Sequence, residues 1–298
     1  MMQKLLYATD FSENATKAFE FALKITYQYD AELTMMHVFA LPHASMDYPS
    51  SFNIQEMRGQ AINDFQKSLK DLFEEFNRET GKKTKVDFRA VENSSTTEGI
   101  IEVANGIDPD LIITGTKGGS KIKTLIFGST AESLIARSPF PVLAVPEKAV
   151  YQDFARILFA TDFCEEDLTA LSHWVGAFQP WSPEFTLIHI DTRIDKPGDD
   201  KMEEFKSLVE KNIGYQKIKF HLLFADTLQD YDSLSLFLQR NEFDLLLMYV
   251  KPREGFMDNL FHHDMVKKME SRTPVPLLSY NKFCVDKWDE VENHREKT

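Results

Sequence analysis

The sequence predicts an α/β protein made of two tandem, doubly wound domains, each on a five-stranded parallel sheet. Two observations carry this reading: an internal repeat, and a strict alternation of buried strands with amphipathic helices. Lys4-Leu5-Leu6-Tyr7-Ala8-Thr9-Asp10-Phe11 returns as Arg156-Ile157-Leu158-Phe159-Ala160-Thr161-Asp162-Phe163, at an offset of 152. The same offset lays Glu32-Leu33-Thr34-Met35-Met36-His37-Val38 on Glu184-Phe185-Thr186-Leu187-Ile188-His189-Ile190. Two matches at one spacing mark a duplicated unit. Further on, Asp110-Leu111-Ile112-Ile113 matches Asp244-Leu245-Leu246-Leu247 at 134. Ser138-Pro139-Phe140-Pro141-Val142-Leu143 matches Thr273-Pro274-Val275-Pro276-Leu277-Leu278 at 135. The second copy is therefore about 18 residues shorter in its middle. The missing stretch answers to Leu41–Asn53, a loop rich in turn formers, plus part of the next helix.

Residues 3–9 are apolar without a helical period and read as a buried strand. Ser12 is placed to cap the following helix, in which Ala15, Ala18, Phe19, Ala22, Leu23 and Thr26 share one face. Residues 32–39 form the second strand. Residues 55–79 form a long helix with Ile62, Phe65, Leu69, Leu72, Phe73 and Phe76 on one side. Strands follow at 84–91, 110–115 and 141–145, separated by helices at 95–106 and 129–137. Alternating β and α elements give a parallel sheet with right-handed crossovers. The pattern repeats, giving domains over 1–148 and 154–281 and a charged C-terminal tail over 282–298 that lies outside the second core.

Composition narrows the function. Hydrophobic residues at 43% and charged residues at 27% describe a globular chain with ample core. A net charge of -13 repels phosphate backbones, which argues against nucleic-acid binding. No apolar run is long enough to span a bilayer, and no signal-peptide core precedes Asp10, so a cytoplasmic location is expected with no membrane partner. Two cysteines, Cys164 and Cys284, supply neither a disulfide framework nor a zinc site.

In open α/β sheets ligands sit beyond the carboxyl ends of the strands. Asp10 follows the first strand, and Gly115-Thr116-Lys117-Gly118 follows the fourth. Gly128-Ser129-Thr130 then opens a helix, giving the spacing Gly-x2-Gly-x9-Gly-Ser. Gly115 and Gly118 permit a positive-φ turn and present no Cβ to a phosphate. Free amides and the dipole at the helix start favour an anion, and the Ser129 and Thr130 hydroxyls can donate to it. Asp10 accepts only, which suits ribose hydroxyls. The loop fits neither a Walker A sequence nor a dinucleotide fingerprint. On their own, such glycines can equally end a strand and cap a helix.

With this spacing in place, the chain resembles a tandem universal stress protein over residues 3–147 and 155–280. The family's nucleotide signature is met by Gly115, Gly118, Gly128 and Ser129. Its early aspartate falls at Asp10 within Ala8-Thr9-Asp10, and its adenine-side contact at Val38. The resemblance implies a Rossmann-like fold of the adenine nucleotide alpha hydrolase type. It also implies ATP or another adenine nucleotide such as ADP or AMP, often with Mg2+ on the phosphates, and a stress-response regulatory role toward a protein partner. It further implies that the fifth strands pair the two halves as a pseudo-dimer within one chain, and leaves a homodimer open.

The second copy departs from the signature. Gly115 becomes Tyr249 or Val250, Gly118 becomes Pro252 or Arg253, and Gly128-Ser129 becomes His262-His263 or His263-Asp264, according to register. A side chain at 249 or 250 would stand where phosphate must approach, so one nucleotide per chain is expected. His37 and His189 recur at matched places, which favours packing. Cys164 reads as a plain loop cysteine, and adjacent His262 and His263 make a poor metal pair. No catalytic residue can be assigned, since efficient catalysis needs a placed base and charge stabilisation. A binder is therefore expected. A slow ATPase or autophosphorylating enzyme, and a nucleotide-free scaffold, stand as alternatives.

Overall fold

The structure, a computed structural model, describes residues 2–41, 54–78, 81–116, 128–191, 199–224, 234, 237–238, 240–250 and 275–295. The first half runs β1 (Lys4–Ala8), α1 (Glu13–Tyr29), β2 (Glu32–Phe39), α2 (Ile54–Asn77), β3 (Val86–Glu92), α3 (Thr96–Ile107), β4 (Leu111–Gly115), α4 (Ser129–Arg137) and β5 (Val142–Val145). The second half has β6 (Arg156–Ala160), α5 (Glu165–Ala177), β7 (Glu184–Asp191), α6 (Asp199–Asn212), β8 (Ile218–Phe224), β9 (Leu245–Val250), β10 (Leu277–Asn281) and α7 (Lys282–Arg295). The shortening falls where the offsets place it: α6 has 14 residues against 24 in α2.

The described strands form one ten-stranded sheet, in the order β3-β2-β1-β4-β5-β10-β9-β6-β7-β8. Each half is parallel throughout, and β5 meets β10 antiparallel, with Leu143 opposite Leu278. The fifth strands thus join the halves as a pseudo-dimer within one chain. Ladder registers equate the copies: Leu5 faces Leu111 in β4, and Ile157 faces Leu245 in β9. Tyr249 therefore occupies the place of Gly115. A matched anchor starts both sheets. The Asp110 carboxylate accepts from the Gln3 and Lys4 amides, and the Asp244 carboxylate from the Ala155 and Arg156 amides.

Local signals explain the helix limits. The Ser12 hydroxyl accepts from the Ala15 amide, and Asp30, at φ 50°, ends α1 by donating to Thr26. Ser95 caps α3 in the same way. The helices split between two faces. One core layer packs α1, α2, α5, α6 and α7 on the sheet, around Phe19, Leu69, Trp174, Phe205 and Trp288. The other holds Ile100, Leu134, Ile135, Leu234 and Leu238. Among the described residues, no helix is long and apolar enough to cross a membrane.

The C-terminal segment corrects the sequence reading. Residues 282–295 are not a tail outside the core but a helix whose Cys284, Val285 and Trp288 are buried in it. The Trp288 ring stacks on His173, 3.8 Å between centroids, and packs edge-on to Trp174. The helix also grips the first half, because Lys287 pairs with Asp108 and lies 5.2 Å over the Phe140 ring. Buried Asn281, at the end of β10, donates to the Ser138 carbonyl at 2.7 Å. Asn281→Ala strands that buried carbonyl. Its expected cost is about 1–3 kcal/mol, read as a lower urea midpoint.

Candidate functional site

Successive helices leave β1 and β4 toward opposite faces of the sheet, since α1 packs in one core layer and α4 in the other. A crevice therefore opens beyond the carboxyl ends of these neighbouring strands, the switch point at which such sheets bind ligands. Of the residues singled out by sequence, Ala8, Thr9, Asp10, Gly115 and Thr116 lie at these two strand ends. Ala8 pairs with Thr114 at the top of the β1–β4 ladder, and Thr9 and exposed Asp10 continue beyond it. Buried Thr116 donates its amide to Val145 at 3.0 Å, and its carbonyl accepts from the Gly128 amide. That last bond brings the start of α4 back to the end of β4. Lys117 and Gly118 lie outside the described residues, as do Gly119, Lys121, Lys123 and most of the Leu41–Asn53 loop.

Gly128 is the N-cap of α4, at φ −64° and ψ 150°, with no capping side chain of its own. Ser129 is exposed and Thr130 half-buried. The first amides of an α-helix have no partner within it, and the helix dipole adds positive potential there. The arrangement suits an anion approaching the backbone, with two hydroxyls beside it.

Gly115 works differently from the sequence expectation. It lies in the strand and not in the left-handed region. A Cβ on it would come 2.8 Å from Asn14 Nδ2 and 3.1 Å from the Asn14 carbonyl. This glycine lets α1 pack closely on β4. A similar fit occurs at Gly99 of α3, where a Cβ would stand 2.9 Å from a Val38 methyl. Val38 thus points toward α3, while neighbouring His37 points to the opposite face, as strand alternation requires.

The turn after β1 is the most constrained feature here, and it appears in both copies. Phe11 has φ 61° and Phe163 φ 59°, a conformation that bulky side chains rarely adopt. The Phe11 amide donates to the Thr9 hydroxyl at 2.9 Å, and the Phe163 amide to the Thr161 hydroxyl at 2.9 Å. The Ser12 amide closes onto Asp10 Oδ1 at 3.0 Å. His37 Nδ1 lies 2.8 Å from the Thr9 carbonyl, and His189 Nδ1 2.8 Å from the Thr161 carbonyl. Burial pushes the His37 pKa down, against the opposing pulls of that hydrogen bond and nearby Asp10. The two phenylalanines went unremarked in the sequence reading. Their signal was present, as both lie inside the matched octapeptides.

The second copy fills its turn from within. Asp167, 1% exposed, accepts from the Thr161 hydroxyl at 2.8 Å, the Asp162 amide at 2.9 Å and the Cys164 amide at 3.4 Å. Burial raises its pKa, and those hydrogen bonds oppose the rise. Its place in the first copy is Ala15, so comparing the repeats gave no sign of it. Cys164 caps α5, and burial followed by Asp167 pushes its thiol up to about 12. It stays a protonated thiol at neutral pH, in keeping with a plain loop cysteine. The Tyr249 ring is turned toward Tyr280, 5.5 Å away, on the side of α5 and α7. It therefore does not stand in the path of a phosphate, as sequence alone suggested. Val250 is buried, and Pro252, Arg253, Gly255, His262, His263 and Asp264 lie outside the described residues. Among the described residues no three His, Cys, Asp or Glu side chains cluster to hold a metal ion.

Comparison with known proteins gives this geometry a context. Residues 1–146 match the universal stress protein family. The stress response protein NhaX of Bacillus subtilis is 28% identical over 162 residues, covering 48% of this chain and 96% of that protein. A universal stress protein structure from Archaeoglobus fulgidus shares the fold of nearly the whole chain. Its TM-score is 0.67 at 21% identity, covering 94% of this chain and 98% of that one. A universal stress protein solved in complex with cAMP aligns with 48% of this chain and 97% of its own, at 21% identity and a TM-score of 0.36.

Proposed function

The N-terminal half matches the universal stress protein family, and from that footing we propose that the chain is a tandem member of it and that this half binds one adenine nucleotide, ATP foremost. The observation that carries the proposal is the start of α4. Its N-cap, Gly128, brings no capping side chain and donates its amide back to the Thr116 carbonyl just beyond β4, the neighbour of the strand that leads to Asp10. In this reading the amides and hydroxyls of Ser129 and Thr130 hold phosphate, together with Thr116, Lys117 and Gly118 of the loop. Asp10, with Ala8 and Thr9, meets the ribose, and Val38 borders the adenine. Mg2+ would ride on the phosphates, since it commonly keeps its waters and takes few protein ligands.

The same proposal divides the chain into domains at 1–148 and 154–281, with α7 closing the second. It assigns the second domain a structural or regulatory part, because Asp167 occupies its turn and the sequence there restores none of the glycines at 115, 118 and 128. Asp10 is the carboxylate closest in sequence to the switch point, and it already accepts the Ser12 amide. That arrangement favours binding over hydrolysis. The whole acts as a cytoplasmic stress-response module whose surface, altered by nucleotide, is read by a protein partner.

The deciding experiment is to denature the purified protein and identify released nucleotide by mass spectrometry and absorbance. About one adenine nucleotide per chain is expected. None released, together with no calorimetric binding of ATP, ADP or AMP, sinks the reading. ADP production that vanishes in both Asp10→Ala and Ser129→Ala would instead make the protein an ATPase.

A further inference from the structure

The structure assigns His37 a role as a positioning residue of the nucleotide site: held in an aromatic clamp, it fixes the turn that presents Asp10. This inference rests on the nucleotide reading above and deepens it.

Thr9 is pinned at three atoms. Its amide donates to the Met36 carbonyl at 3.0 Å, its carbonyl accepts from His37 Nδ1 at 2.8 Å, and its hydroxyl accepts from the Phe11 amide at 2.9 Å. Because a carbonyl only accepts, the proton must lie on Nδ1, which fixes the tautomer. The imidazole is held in turn by rings on two sides. Phe11 lies 4.8 Å from it and Phe65 of α2 lies 4.4 Å, while Phe39 meets Phe65 at 5.1 Å. The chain then reverses through Phe11 at φ 61°. A left-handed phenylalanine persists only where its surroundings over-determine it. Asp10 lies between the pinned threonine and the reversed phenylalanine, so its direction follows from both. Positions of groups that bind ligand are set by such supporting contacts to a fraction of an ångström.

The duplication supplies an internal control. Thr161, Phe163 and His189 repeat the device, with the Phe163 ring 4.8 Å from His189 and Phe205 of α6 5.3 Å from Phe163. The turn is therefore a property of the fold that both copies share. Only the first copy joins it to the glycine-spaced loop. A purely structural role makes the two histidines equivalent, whereas a positioning role makes His37 alone matter to the ligand.

The test measures calorimetric ATP affinity and melting temperature for the full chain and its variants. His37→Leu is expected to weaken ATP binding about tenfold or more. His189→Leu should lower the melting temperature comparably and leave affinity unchanged. His37→Asn carries an amide donor near the place of Nδ1 and should restore affinity to within about threefold of the original. Equal losses of affinity in His37→Leu and His189→Leu, or full affinity in His37→Leu, overturn the proposal while leaving the nucleotide reading intact. If His37→Leu fails to fold, His37→Asn and His37→Gln decide. Gln carries the amide one methylene too far, and equal affinities in the two overturn the proposal. An unaltered protein that binds no adenine nucleotide overturns both readings.

Discussion

A chain ended after Asn281 is expected to lose the cooperative unfolding of its C-terminal half. The truncation removes three side chains that sit in the core: Cys284 at 1% exposure, Val285 at 2% and Trp288 at 9%. It also bares what they cover. Trp174 and Tyr280, both fully buried, each lie within 6 Å of the Trp288 ring, at 5.4 and 5.7 Å. Truncating one buried tryptophan to alanine costs about 3–5 kcal/mol, against a total of about 5–15 kcal/mol for a typical domain. Trp288→Ala alone should therefore lower the urea midpoint clearly, and the full truncation should bind a hydrophobic dye in buffer. The measurement is urea unfolding followed by circular dichroism and by tryptophan fluorescence. A truncated chain that unfolds in one step at the original midpoint would show that α7 is dispensable.

The second large effect separates two glycines that look alike in sequence. Gly128→Leu should leave folding intact and reduce ATP binding by about a hundredfold or more. Its φ and ψ, −64° and 150°, are open to any residue, so a leucine there brings no backbone strain. What it brings is a side chain at the helix start, where the phosphate reading requires bare backbone. Gly115→Ala should do the reverse. Its new methyl would press on Asn14, with 3.1 Å to a backbone oxygen that cannot rotate away. Overpacking of this kind costs about 1–3 kcal/mol, seen in the melting temperature without nucleotide. A Gly128→Leu protein that binds ATP normally would remove the start of α4 from the site.

These two glycines also show how far a sequence carries. The repeat placed most strands to within a residue or two, because buried parallel strands are continuous apolar runs and the ladder then fixes their pairing. The start of α1 followed from Ser12 and its buried face from a run of small and aromatic residues, both local signals, whereas its end at Asp30 was not marked in advance. The function of Gly115 was hidden because its determinant, Asn14, lies far off in the chain and meets it only once α1 has packed. The helix α7 was hidden for a similar reason. Its Cys284, Val285 and Trp288 make a single short apolar stripe among Lys282, Asp286, Lys287, Asp289 and Glu290. That stripe has meaning only beside His173 and Trp174 of α5. Asp167 escaped because a repeat reveals what two copies share, and its counterpart is Ala15.

The seam between β5 and β10 carries a further consequence. In a two-fold dimer of identical chains every interface substitution occurs twice, once on each side of the axis. Here Leu277 faces Ala144 and Ser279 faces Val142, pairs that such an axis would make equivalent. The Ser279 hydroxyl donates to the Val142 carbonyl at 3.3 Å, and Ala144 has no hydroxyl to return the bond. Covalent fusion has released the seam from symmetry. Association no longer depends on concentration, one side can change without the other, and a half whose pairing is assured by its tether is free to diverge from its twin.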